Sequence, residues 1–290
     1  MEDNSNSSNT AAVLQLIQWK RFKEALVEVE QVLAQNPEDP DILGLIAHIY
    51  FLMDEYEKAL YWSTEALKRE PNHELAWYVR VGVYYETEDE KAFNQALQEA
   101  MRIDPYEPQY YFMKANKLNK KGKFKEAKEQ MLHALELSPE SQLYLAMMSY
   151  IEALLGNFAE SSRLDRQALQ YDAEVPYVLL YLAWSAGHRG DYKLKETYMR
   201  NAVRLNPEDK QIQNEYLEAL QHSHKLFRIF LWPTKMISKM PRWQILVSWI
   251  IVWILFRPLI ILFIVLYVLT HWVTKGIVHV RVFGWRRRGS

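Results

Sequence analysis

The sequence predicts an all-α protein: an α-solenoid of about six helix-turn-helix repeats, followed by a C-terminal membrane helix or helical hairpin. Three observations carry this. Proline recurs at a 34-residue phase as Pro37, Pro71, Pro105, Pro139 and Pro207, with Ala173 taking the one remaining turn of the cycle. Small residues keep the same phase five positions earlier, as Ala66, Ala100, Ala134, Ala168 and Ala202, with Val32 in the first cycle. All 36 acidic residues lie at or before Glu218, whereas a 31-residue apolar run, Trp243 to Val273, lies wholly after it. A fixed period of this length is the mark of stacked helical pairs, none of which buries its apolar face alone.

Taken in chain order, residues 1–9 (MEDNSNSSN) have no apolar core to suit a secretory signal or transit peptide and read as a disordered lead-in. The solenoid occupies residues 10–209, in units beginning near Asn6, Pro40, Glu74, Pro108, Gln142 and Pro176. Ala25, Ala59 and Ala127 stand on the second helix of their units, and Ala47, Ala115 and Ala183 on the first helix of alternate units, where two helices cross closely. An aromatic recurs between them as Phe22, Tyr56, Phe124, Phe158 and Tyr192, placed to wedge between neighbouring units. Gly122, Gly156 and Gly190 precede three of these by two positions, where an inter-helix turn needs a left-handed backbone. Phe93, Ser161 and Lys195 replace the alanine of the second helix and weaken the packing expected of the third, fifth and sixth units. Residues 210–224 read as a solvated capping helix whose apolar face includes Ile212, Tyr216, Leu217 and Leu220.

These repeats resemble the tetratricopeptide repeat family. The pattern is seen in Leu43-x2-Ile46-Ala47-x2-Tyr50, followed by Tyr56, Ala59, Ala66 and Pro71, and again in Trp77-x2-Arg80-Val81-x2-Tyr84. The resemblance covers about residues 6–209 and implies a right-handed superhelix of antiparallel helix pairs. It also implies that the first helix of each unit lines a concave groove, with positions 2, 5, 9 and 12 of the unit pointing into it. On this chain those positions yield His48, Phe51, Tyr78, Tyr85, Gln109, Phe112, Asn116, Asn119, Tyr150, Tyr177 and Trp184 as groove candidates. The set is aromatic and amide-rich, suited to a protein or peptide partner held by apolar burial and scattered hydrogen bonds. Helical aromatics also pack between neighbouring units, so each candidate has a purely structural alternative. Members of the family that grip a terminal carboxylate use lysine, asparagine and arginine; here Asn116 matches one such position, but Leu14, Tyr78 and Val79 occupy others, so that specialisation is not expected.

The formal charge is −1 overall, yet it divides into −12 up to His224 and +11 beyond it. The basic flanks of the apolar run are Lys225, Arg228, Lys235, Lys239 and Arg242 on one side and Lys275, Arg281, Arg286, Arg287 and Arg288 on the other. Residues 225–242 read as a basic amphipathic juxtamembrane segment, 243–273 as the membrane element and 274–290 as a basic tail, so that residues 225–290 contact membrane lipid. As one straight helix the run would be about 46 Å long, against a hydrocarbon layer of about 30 Å, with Arg257 near its middle. An arginine there costs about 2.5–3.5 kcal/mol on insertion scales. Pro258 suits the first position of a new helix, so Arg257 and Pro258 form a natural membrane turn between arms of about 21–24 Å. One conventional span, within 258–275 or 243–262, is the alternative. Basic residues at both flanks place the flanks and the solenoid in the cytoplasm.

No cysteine is present, which excludes disulfides and thiolate chemistry. The eight histidines form no HExxH, and no GxxxxGK[ST], GxGxxG or GxSxG occurs, so neither a catalytic site, a metal site nor a cofactor is expected. An acidic solenoid repels phosphate, which excludes nucleic acid as its partner. The run of Lys117, Lys120, Lys121, Lys123 and Lys125 sits at an inter-helix turn as a solvated edge. The function read from the sequence is a membrane-anchored scaffold that recruits a protein or peptide partner; the alternative is a membrane-shaping or complex-assembly factor acting through the hairpin.

Overall fold

The computed structural model describes residues 2–170, 175–223 and 261–280, which form fourteen helices and no strand. They fall in two compact units, residues 1–117 and 118–290. The first unit holds α1 (Glu2–Gln18), α2 (Phe22–Gln35), α3 (Pro40–Leu52), α4 (Tyr56–Arg69), α5 (Glu74–Glu86), α6 (Glu90–Ile103) and most of α7 (Pro108–Lys120). The second holds α8 (Phe124–Leu137), α9 (Gln142–Leu154), α10 (Phe158–Ala168), α11 (Pro176–Arg189), α12 (Tyr192–Leu205), α13 (Lys210–Ser223) and α14 (Ile261–Val280). The helices α3, α5, α7, α9 and α11 begin at the five prolines, glutamates or glutamines where the sequence starts a repeat. The first helix departs from expectation: α1 starts at Glu2, so it runs through residues read as a disordered lead-in. Once Val13 is buried against Val29 and Ile46, adding turns to an existing helix is cheap, whereas starting one is not.

Starts and stops follow local chemistry. Asp39 accepts hydrogen bonds from Asp41 N (2.9 Å) and Ile42 N (3.5 Å) at the head of α3, with Pro40 at the first helical position. Asp89, Asp191 and Asp209 cap α6, α12 and α13 in the same way. Each such carboxylate satisfies amide groups that the helix itself leaves unpaired. His73 caps α5: its Nδ1 accepts from Ala76 N at 3.1 Å, so Nε2 carries the proton and donates to Asp41 at 3.0 Å. Its ring fits because Gly44 lies beneath it; a Cβ there would stand 2.4 Å from His73 Cε1.

The phase alanines are all buried, from Ala25 in α2 to Ala202 in α12. The wedge aromatics are half-buried except Phe158, which is 47% exposed. Tyr56 packs on Phe51 with centroids 6.4 Å apart, but Ala153 occupies the Phe51 phase three repeats later and offers Phe158 no ring. In the second unit Ile212 and Ala219 of α13 bury against Leu179, Ala183 and Met199, closing that core. Beyond α13, α14 is 20 residues long, apolar, and continues through Lys275 to Val280 rather than ending at Val273. The apolar residues Ile277, Val278 and Val280 resume after Lys275, and a single lysine does not end a helix. Lys275, Val278 and His279 line a 220 Å³ cleft together with Asn214, Leu217, Glu218 and Gln221 of α13. The segment 225–242, the arm 243–256 and the Arg257/Pro258 turn lie outside the described residues.

Candidate partner-binding faces

In the first unit the first-helix candidates form two strips. His48 meets Tyr78 edge-on with centroids 6.1 Å apart, and Tyr78 meets Tyr110 at 6.2 Å. Burial lowers the His48 pKa and raises those of Tyr78 and Tyr110, with the Glu107 charge adding to both tyrosine shifts. Both phenols are therefore protonated, and the imidazole is favoured neutral. The second strip is Tyr85, whose hydroxyl accepts a hydrogen bond from the Asn116 amide. Lys117 Nζ donates to the Tyr85 carbonyl at 3.3 Å and stands 5.0 Å from the centre of its ring. Burial pushes the Tyr85 hydroxyl up to about 12. Gln109, near the start of α7, is half-buried, and its backbone N–H donates to the Glu107 carboxylate at 2.8 Å.

Two candidates of this unit serve the core. Phe51 packs over Gly82, where an added Cβ would meet Cζ at 2.6 Å, and Phe112 is buried. In the second unit Tyr150 gathers Trp184 (5.4 Å), His188 (5.6 Å) and Tyr181 (6.2 Å) into one half-buried aromatic group. Tyr177 is apart from it, exposed and donating to Asp209 at 3.0 Å. Asn119 has a buried Oδ1 with no hydrogen-bond partner.

Sequence spacing missed Tyr110, Tyr181 and His188, which join these strips from positions outside the 2, 5, 9, 12 series, and Glu74, Asp104 and Glu107, which surround Tyr78 and Tyr110. A charge-and-aromatic scan across each inter-repeat loop would have flagged Asp104, Glu107 and Tyr110 together. Among the described residues no three histidines, aspartates or glutamates are grouped to hold a metal.

Tetratricopeptide repeat family models match residues 16–80 and 108–141. No curated protein matches the sequence. A chain of the APC/C hetero-tetramer Cut9–Hcn1 aligns at TM-score 0.64 and 15% identity, over 74% of this chain and 43% of that one. The chain thus spans less than half of that relative. PilF of Pseudomonas aeruginosa aligns at 0.59 and 19% identity, over 74% of this chain and 96% of that one. A tetratricopeptide repeat protein of Parabacteroides merdae aligns at 0.58 and 14%, over 74% and 84%. Identities this low speak to fold alone. Two family matches and these fold neighbours, with repeat starts at one phase, support the tetratricopeptide repeat family for the helical repeats of this chain.

Proposed function

We propose that the chain is a membrane-anchored scaffold whose first-helix faces recruit a protein partner to the membrane surface. Proteins of this repeat family generally mediate protein–protein interactions, and the fold is typically non-catalytic. The observation that carries the partner reading is the pair of aromatic strips, His48–Tyr78–Tyr110 and Tyr150–Trp184–His188, on first helices. Aromatic groups with a polar tip supply contact area at small entropic cost and are the usual centres of binding energy.

Support for the anchor comes from α14. From Ile261 to Leu269 every residue is an exposed, large apolar one, and Trp272 and Val273 are exposed too. A helix that is apolar all round belongs in a core or a bilayer, and among the described residues no core surrounds this one from Ile261 to Leu269. Each such side chain gains about 1.5–3 kcal/mol on leaving water. Twenty residues span about 30 Å, the thickness of the hydrocarbon layer. Trp272 and Lys275 stand together near one end, as interfacial anchors do. The basic residues on both flanks favour contact with anionic headgroups and a cytoplasmic solenoid.

The test is site-specific photocrosslinking from the full-length protein in its own cells, with the photoreactive residue at Tyr78, at Trp184, or at exposed Lys125 on α8. A discrete protein adduct is expected from Tyr78 and Trp184 and not from Lys125. The same adduct from all three positions, or none from the first two, refutes the first-helix reading. Release of the full-length protein into the supernatant by carbonate extraction refutes the anchor.

A further inference from the structure

We propose that the cleft walled by α5 and α7 is a cation site that takes an arginine side chain of the partner. This rests on the first-helix reading above and names the chemistry of one contact in it. The cleft has a volume of 270 Å³ and is lined by Glu74, Leu75, Tyr78, Asp104, Glu107 and Tyr110. That is room for one guanidinium and part of its stem.

Three features point to a cation rather than to an ordinary acidic surface. The first is missing compensation. Several carboxylates elsewhere on the helices pair locally: Glu65 with Lys68 and Arg69, Glu99 with Arg102, Glu126 with Lys123, Glu160 with Arg163, Glu196 with Arg200. Around the cleft three carboxylates gather without a basic partner among the described residues; Asp104 and Glu107 accept only backbone amides, from Tyr106 N at 2.9 Å and Gln109 N at 2.8 Å. The second is Tyr110. It is 1% exposed, it lines the cleft, and its hydroxyl has no hydrogen-bond partner among the described residues. Its oxygen is not among the buried unpaired atoms and keeps a little solvent contact at the cleft, where it can accept from a ligand N–H or donate to a neighbouring carboxylate that the ligand orders. The third is the aromatic wall. The Tyr78 and Tyr110 rings stand at 42° to one another with centroids 6.2 Å apart, and both line the cleft, where aromatic rings favour a flat cation.

The same features choose the cation. No three carboxylates among the described residues approach one another as metal ligands must, so a compact ion cannot satisfy them together. A guanidinium can, because its five N–H groups diverge in a fixed plane and it sheds water more readily than an ammonium does. Leu75 supplies apolar wall for the methylene stem, where a hydrated metal would find none. The protonated phenols add acceptor oxygens without adding charge.

The experiment uses full-length protein in detergent micelles with ring-13C tyrosine, the Tyr78 and Tyr110 signals being assigned from the Tyr78→Phe and Tyr110→Phe variants. The probe is N-acetyl-arginine methylamide, and its neutral isostere N-acetyl-citrulline methylamide is the control. The arginine probe is expected to shift both signals saturably, with affinity about tenfold above that of the citrulline compound, the ratio that loss of one good charged contact produces. Asp104→Asn combined with Glu107→Gln is expected to remove that difference while the melting temperature stays within a few degrees of the parent. If that pair fails to fold, Glu74→Gln alone is expected to lower the arginine affinity several-fold. Equal binding of the two compounds, no shift with either, or full affinity in the folded variants overturns the proposal. Crosslinking at Trp184 is independent of this cleft. An adduct there without arginine binding here would sink the cation site and leave the scaffold reading standing.

Discussion

Lys20, Asp54, Glu88, Gly122, Gly156 and Gly190 lie one repeat apart, and all six have φ between +57° and +84°. The inter-helix turn therefore demands a left-handed residue in every unit, and glycine meets that demand in three of six. Only the glycines were legible as such in the sequence, since a lysine or a glutamate announces nothing about its own φ; the phase alone betrays it. For an L-residue the left-handed region costs about 1–2 kcal/mol, against about 0.4–1 kcal/mol of extra unfolded-state entropy for glycine. Lys20→Gly, at an exposed side chain, is thus expected to stabilise the chain by up to about 1 kcal/mol. Gly122→Ala should cost about as much, and through backbone alone, because a Cβ at Gly122 meets nothing within 4 Å. Denaturant midpoints check both. A lower midpoint for Lys20→Gly would show that the turn is not strained by its side chain.

The helices absorb the three departures from the alanine pattern by a different device each time. Phe93 is buried, stacks on Tyr85 at 5.9 Å and receives Lys117 at 5.6 Å from its ring centre. Lys195 is buried at its stem, which lies over Gly187 where a Cβ would stand 3.1 Å from Cδ, and its ammonium reaches Glu218 at 2.9 Å. Ser161 joins a buried polar network across α9, α10 and α11. Ser149 Oγ donates to the Ser161 carbonyl at 2.8 Å, and Arg189 donates to both the Ser161 hydroxyl and the Asp165 carboxylate. The pattern break was legible in the sequence. The remedy was not, because Gly187 and Arg189 both belong to α11, which precedes Lys195 and follows Ser161, and nothing but the packing angle says they face α12 and α10. The same limit explains why spacing found Tyr78 and missed Tyr110 and the acids around it. In the Ser161 network Asp165 and Arg189 have side chains only 5% and 9% exposed. Burial raises the Asp165 pKa in spite of the arginine, so the charged pair is held in an environment that disfavours it. Removing one partner strands the other, at about 3–5 kcal/mol, whereas replacing both with apolar residues is often neutral. Arg189→Met is therefore expected to lose about 3 kcal/mol or more, and Arg189→Met with Asp165→Leu to recover most of it. Additive losses in the double variant would mean that the two charges do not act as a pair.

On the scale of the whole chain, the acidic repeats and the basic, apolar C-terminal part are joined by residues 224–260, and the cleft between α13 and α14 constrains how. Lys275, Val278 and His279 line it from α14, and Asn214, Leu217, Glu218 and Gln221 from α13, while Thr274 and Val278 are buried. The last turns of α14 thus sit beside the cap of the repeats. If α14 enters a bilayer from that end, α13 and Val280 lie on the same side, as the hairpin read from the sequence expects. The 20 residues of α14 reach about 30 Å, the thickness of the hydrocarbon layer, although its last turns lie against α13. The charges favour the same reading, since basic residues flank the apolar run on both sides and the positive-inside rule would keep both flanks on the cytoplasmic side. Topology reporters fused before Met1 and after Ser290 are accordingly expected to report the same, cytoplasmic side in intact cells. The cysteine-free chain adds a direct check, because Leu217→Cys with Val278→Cys introduces the only two thiols, and these should crosslink within one molecule under mild oxidation. Arg257→Leu should then shift part of the population to a single crossing, because it removes the one charge that a long span would bury. Reporters on opposite sides in the parent protein would replace the hairpin with a single span, and would require α14 to leave α13 in the membrane.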